Sequence, residues 1–150
     1  MIEKSTMQRV LEAFFENPSK EFHLRELSRV LKLSMPTIIS ATDGLARQKL
    51  ITKLKTKVLT KVQANRENIE FARCKRISNL EKIYGSGIAD FISKTYNHPK
   101  TIILFGSFSR GEDIESSDID IAVTANKRLG LNTDKYDKIL RRKISIHEID

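Results

Sequence analysis

The sequence predicts a mixed α/β (α+β) chain in two parts, and three observations carry that expectation. Apolar residues recur at helical spacing through the first third, then give way to two short alternating runs. Further on, two β-branched apolar runs, 101–105 and 119–123, bracket a glycine-serine pair and a carboxylate pair. The charge is also lopsided. Of the net +8, residues 1–66 carry 13 Lys+Arg against 6 Asp+Glu, whereas residues 100–150 carry 9 against 9. A length of 150 residues accommodates one ordinary domain or two small ones, and 39% hydrophobic content supports a packed core rather than disorder.

The elements follow in order. Met7, Val10, Leu11, Phe14 and Phe15 have the spacing of a first helix, stopped at Asn17-Pro18. Phe22, Leu24, Leu27, Val30 and Leu31 mark a second, short helix. Ser34 suits the N-cap of a third, with Pro36 tolerated in its first turn. Ile38, Thr42 and Leu45 form the inner face of that helix, leaving Thr37, Ser40, Gly44, Arg47 and Gln48 outside. Residues 50–54 and 58–62 then alternate as two strands around Lys55-Thr56-Lys57.

Three helices followed by a basic hairpin resemble a winged helix-turn-helix, here residues 1–66. That resemblance implies a third helix in the DNA major groove and a hairpin on the backbone. Thr37, Ser40 and Arg47 would face bases or phosphates, and Lys53, Lys55, Lys57 and Lys61 would supply phosphate contacts. Neutralising about four phosphates would give a salt slope on the order of −3 to −4. Winged helices also serve as dimerisation or docking units, and hairpin lysines are often a solvated edge. The charge asymmetry favours DNA. Such modules commonly act as symmetric pairs on DNA, so a homodimer is expected.

Residues 67–98 read as a helical connector. Ile69, Phe71, Cys74, Ile77, Leu80, Ile83 and Tyr84 are spaced as an amphipathic helix, Gly85-Ser86-Gly87 interrupts it, and Ile88, Phe91 and Ile92 suggest another before His98-Pro99. Its apolar positions need a surface to cover, so a brace is expected rather than a flexible linker. Cys74, the single cysteine, cannot form an internal disulfide and suits a small buried hydrophobe. There is no signal peptide and no 18-residue apolar stretch, so a cytoplasmic protein with no membrane association is expected.

The chemistry lies beyond residue 99. Thr101–Phe105 reads as a buried strand, and Gly106-Ser107 follow at its C-terminal end, where a tight turn can aim backbone N–H groups at a phosphate. Alternation puts Asp118 and Asp120 on one strand face and Ile119, Ile121 and Val123 on the other. Paired carboxylates repel unless a cation lies between them, and hard oxygen ligands suit Mg²⁺ held jointly with substrate phosphates. Taken alone, the pairs would also suit an ordinary turn and a solvated strand edge. The spacer acids Glu112, Asp113 and Glu115 read as solvated, and Gly111 as the end of a helix or turn.

The stretch Leu104 to Gly111 with Ser117 to Val123 resembles the minimal nucleotidyltransferases of the DNA polymerase β superfamily, whose signature is Gly-Ser, a spacer of this length and an Asp-x-Asp strand. The stretch from Asn65 through Lys82 to the Gly-Ser motif resembles archaeal proteins that fuse a winged helix to such a domain. The resemblance implies a polymerase-β-like fold with a small mixed sheet over residues 99–150. It further implies Gly106, Ser107 and Arg110 on the triphosphate of an NTP, ATP the first choice. Asp118 and Asp120 would be catalytic and would bind Mg²⁺.

Active members of that superfamily carry a third carboxylate on a later strand. The matching run here, Lys143–His147, puts Ser145 and His147 opposite the buried Ile144 and Ile146, with Glu148 on the apolar side. Three functional classes therefore remain. One is an enzyme moving an NMP group from an NTP to a hydroxyl acceptor. The second is a DNA-binding transcription regulator whose catalytically weak transferase domain senses a nucleotide. The third is the nucleotidylating antitoxin of a toxin–antitoxin pair, acting on a protein toxin.

Overall fold

The computed structural model describes residues 3–150 and shows a mixed α/β chain of two compact units that divide between Lys75 and Arg76. Among the described residues there are seven helices and two three-stranded sheets, and no helix is long and apolar enough to cross a membrane.

In the first unit, α1 (Thr6–Glu16) starts at a capping box. The Ser5 hydroxyl accepts from the Gln8 N–H while the Ser5 N–H donates to the Gln8 side chain. Phe22 was expected in a helix and instead lies in a short strand, β1 (Glu21–His23), whose alternation buries Phe22 between two exposed neighbours. Helix α2 (Leu24–Leu31) follows, and Val30, an expected core position, faces solvent. Helix α3 (Met35–Arg47) is capped by Ser34 as expected. The hairpin strands are β2 (Ile51–Lys55) and β3 (Thr60–Ala64), one to two residues further along than the alternation indicated, with β3 central between β1 and β2. Backbone and side chain of Thr56 close the loop onto Leu59. Val10, Phe14, Leu27, Ile38, Leu45, Ile51 and Val62 fill this unit's core.

One expectation about α3 is corrected. Gly44 is not on the outer face; it is buried against α1, where an added Cβ would come within 2.6 Å of Met7 Cε. The missing side chain lets the two helices approach closely there.

Helix α4 (Ile69–Ser86) runs on through Gly85 and Ser86, so only Gly87, at φ +81, breaks it. Phe71 belongs to the first core and Ile83 to the second. In the second unit, α5 (Ile88–Thr95) precedes β4 (Ile102–Phe105), α6 (Gly106–Arg110), β5 (Ile119–Thr124), α7 (Asp134–Leu140) and β6 (Ile144–Ile149). Strand β5 is central, antiparallel to β4 and parallel to β6. Ile119, Ile121 and Val123 pack inward with Ile88, Ile92 and Phe108. The expected burial of the first run is corrected: β4 is an edge strand, with Ile102, Ile103 and Phe105 partly exposed. An apolar run cannot reveal how many strands will pair with it.

Candidate functional site

The second unit draws the predicted residues together at the ends of β4 and β5. Phe105 pairs with Asp120 across the two strands, so Gly106, the next residue, opens α6 directly beside that carboxylate. Gly106 has φ +77, and a Cβ built there would lie 2.5 Å from Asp120 Oδ2. Only glycine satisfies both the dihedral and the approach. Ser107 lies in the first turn of α6, and the Ser109 hydroxyl donates back to the Gly106 carbonyl at 2.9 Å. Gly111, at φ +72, ends α6 as expected.

Asp118 is exposed immediately before β5, and Asp120 is half-buried within it. His147, from β6, places Nε2 3.3 Å from Asp120 Oδ1. Its ring meets Phe105 edge-on at 5.0 Å between centroids. Arg110 is exposed and forms an ion pair with Glu112 at 2.7 Å, so phosphate binding by its guanidinium would have to displace that neighbour.

The spacer contains a correction. Asp113 was read as solvated, yet it is 2% exposed. Asn79 of α4 donates to Asp113 Oδ1 at 2.8 Å and to the Phe108 carbonyl at 2.9 Å. Arg142, from the turn before β6, approaches the other carboxylate oxygen at 3.9 Å. These contacts tie α4, α6, the spacer and the turn before β6 to the buried Asp113 carboxylate. Asn79 had a legible signal, since it falls on the inward stripe of α4 with Ile83. Asp113 had none, because acidic spacers are ordinarily solvated.

Glu148 behaves as the alternation indicated. It is turned away from Asp120 and accepts from Tyr96 Oη at 2.5 Å and from the Leu129 N–H at 2.6 Å. The Tyr96 hydroxyl, the Leu129 N–H and the Gly130 N–H hold its carboxyl below the usual range. Burial and this same carboxylate push Tyr96 up to about 12. The described residues contain no group of three or more His, Cys, Asp and Glu side chains placed to hold a metal ion. Two carboxylates nevertheless suit Mg²⁺ that arrives with, and is shared by, substrate phosphates. The donors here fit that arrangement and not a protein-only cage.

The residues expected to meet DNA divide clearly. Ser40, Arg47, Lys55 and Lys57 are exposed. Thr37 is half-buried, its hydroxyl 2.7 Å from that of Ser34. Lys53, 7% exposed, bridges to Asp43 at 2.7 Å and donates to the Thr42 hydroxyl at 2.9 Å. The Lys53 ammonium holds the Asp43 carboxyl below its usual range. Lys61 pairs with Glu21 at 2.7 Å. Val58 projects from the loop, 90% exposed between the lysines and Leu59.

Residues 88–150 match the family model described as polymerase beta, nucleotidyltransferase, a span from the start of α5 to the end of β6 that contains the Gly106–Asp120 contact. No curated protein and no solved structure matches the chain.

Proposed function

We propose that the second unit transfers a nucleoside monophosphate from an NTP, ATP by preference, to a hydroxyl acceptor, and that the first unit is a winged helix that binds DNA. The observation that carries the first half is the approach of Gly106 to Asp120 within a span matching a nucleotidyltransferase family. Gly106 leaves room for the Asp120 carboxylate to lie against the turn between β4 and α6, and the backbone N–H groups of such a turn can serve as donors to phosphate oxygens. Ser107 adds a hydroxyl. Asp118 and Asp120 would hold Mg²⁺, which when bound neutralises charge on the phosphates. In the transfer, a bond forms from the acceptor oxygen to the α-phosphorus, the bond to the β-phosphate oxygen breaks to release pyrophosphate, and the hydroxyl proton passes to water. Asp113, through Asn79, Phe108 and Arg142, keeps the two sides of the cradle in place.

A second reading, a regulator that senses a nucleotide without turnover, is favoured by β6. Its residues on the site face are Ser145 and His147, and its nearby acid Glu148 is engaged elsewhere. Incubation with α-labelled ATP, Mg²⁺ and host lysate tests both readings against the Asp118→Asn/Asp120→Asn double variant. Label transferred only by the unaltered protein supports the enzyme. Absence of transfer from any NTP, with Mg²⁺-dependent ATP binding retained, supports the sensor. Absence of both transfer and binding refutes the proposal.

For the first unit, exposed Ser40, Arg47, Lys55 and Lys57 support DNA contact. Lys53 is better read as part of the fold. The loop-tip Val58, directly after Lys57, suits a groove-probing hairpin. The resemblance of its helix–hairpin order to winged helices is the reason for naming that fold.

A further inference from the structure

Strand β6 brings a nitrogen donor to the carboxylate side of the site. Ser145 pairs in register with Asp120 and His147 with Ala122, so the imidazole stands two residues along from Asp120 on the same face of the sheet. Its register partner offers no more than the buried methyl of Ala122. The ring leans over that methyl, and Nε2 reaches 3.3 Å from Asp120 Oδ1. Both side chains stay open to solvent, at 48% and 30% exposure, so an ion can enter between them. The geometry points to His147 as a ligand, alongside Asp120, of the ion that accompanies the nucleotide, and to a first-row transition-metal ion such as Mn²⁺ as the ion this site prefers over Mg²⁺. This inference rests on the reading of Asp120 as a metal ligand in a nucleotidyltransferase site.

Distance and chemistry both support a shared ion. A charge-assisted hydrogen bond from an imidazolium to a carboxylate closes to about 2.7–2.9 Å, shorter than the 3.3 Å found here. Two donors on one ion, each roughly 2.0–2.2 Å from it, stand that far apart when they subtend roughly 100–110°. Such an angle lies near those of octahedral and tetrahedral coordination. Mg²⁺ takes oxygen ligands and gives up its water reluctantly, so it gains little from an imidazole. Transition-metal ions accept imidazole nitrogen as well as carboxylate and phosphate oxygen, Mn²⁺ the most weakly of the series. The acid next to His147, Glu148, is engaged by Tyr96 and by the Leu129 and Gly130 N–H groups, which leaves this position to the histidine. Asp120 and His147 are too few donors for a protein-only cage, so phosphate oxygens and water complete the coordination and the ion binds together with the nucleotide.

Pulsed electron paramagnetic resonance on the full chain with Mn²⁺ and ATP reads the ligand directly. The bound Mn²⁺ signal is expected to show nitrogen modulation that changes when the protein, and not the ATP, carries the heavy nitrogen isotope. His147→Gln should abolish it. Glutamine keeps a side-chain N–H able to donate to Asp120 but removes the imidazole nitrogen, so a purely hydrogen-bonding role would leave the ion preference unmoved. Displacement of bound Mn²⁺ by Mg²⁺ should instead become easier in that variant by roughly tenfold or more, since groups that merely support a ligand are already worth that much in metal affinity. Mn²⁺ that binds with ATP yet shows no nitrogen from the protein overturns the inference and leaves the transferase reading standing. A His147→Gln variant that keeps its parent's preference between the two ions overturns it equally. A protein that binds ATP with neither ion overturns both readings.

Discussion

Replacing Gly106 with alanine tests whether the approach of this glycine to Asp120 is a working part of the site. Two effects should add. The residue has φ +77, and an L side chain in that region costs about 1 kcal/mol. The new Cβ would also begin 2.5 Å from Asp120 Oδ2. That oxygen is the end of a short side chain, so Asp120 would rotate away rather than force the strands apart, at about 0.5–1.5 kcal/mol for an off-rotamer torsion. The expected total, about 2 kcal/mol, would lower the unfolding temperature by roughly 10 °C in a unit of this size.

A double-mutant cycle separates the two effects. In an Asp120→Ala background the clash with Oδ2 disappears, while the remaining Cβ, 3.5 Å away, is at ordinary contact distance. There, Gly106→Ala should cost only the dihedral penalty. Thermal or urea unfolding of the four proteins should thus show a coupling of about 0.5–1.5 kcal/mol. Gly106→Ala alone should also weaken Mg²⁺–ATP binding at least tenfold by calorimetry, because the rotated carboxylate no longer faces the cradle. Additive costs, or an alanine variant as stable and as competent as its parent, would refute the reasoning.

Asn79→Ala should destabilise the second unit by about 1–3 kcal/mol in denaturant unfolding, since the Phe108 carbonyl and the buried Asp113 carboxylate each lose one of their donors. Tyr96→Phe should lower the unfolding temperature most at neutral pH. Glu148 is held below its unfolded value, about 4.3, so the stability it contributes is present above that value and is lost as the pH falls through the lower folded one, and the gap between the two proteins should close there. At the alkaline end, Tyr96 is held protonated up to about 12, so its contribution is lost as the pH rises from about 10 toward that value, a loss the phenylalanine variant should not show. Lys53→Ala should lower thermal stability and leave the salt slope of DNA binding unchanged, because its ammonium is committed to Asp43 and Thr42. Lys57→Ala should leave stability unchanged and reduce that slope by about 1, read from binding across a salt series.

What the sequence made legible is what neighbours along the chain decide. Ser34 could be read as a cap because a cap is satisfied within three residues. Asp118 and Asp120 could be assigned to one face of a strand because alternation is local, and the same logic turned Glu148 away from the site before its partners Tyr96 and Leu129 were visible. Failures occurred where a second, distant element decides. Phe22 became a strand because β3 lies beside it, Gly44 is buried because α1 crosses there, and β4 is an edge strand because, among the described residues, it pairs only with β5. Asp113 is the sharpest case. Its burial depends on an asparagine 34 residues upstream and an arginine 29 residues downstream, and no pattern within the spacer encodes either.

The parts that would touch a nucleotide, Gly106, Ser107, Asp118 and Asp120, occupy two short segments whose roles are set by turn and strand geometry, so a motif suffices to find them. The parts that hold those segments together come from α4 and from the turn before β6. They act through packing and a buried charge that motif reading passes over. His147 belongs to both classes: alternation places it on the correct face, but only the β5–β6 register brings its Nε2 within 3.3 Å of Asp120. A His147→Asp variant would therefore place a carboxylate at a position the fold already directs toward Asp120. If transfer is weak because the third acid is missing, that variant should raise the rate of label transfer at saturating ATP. An unchanged or lower rate, with ATP affinity intact, would show that the lack of a carboxylate at this position is not what limits transfer.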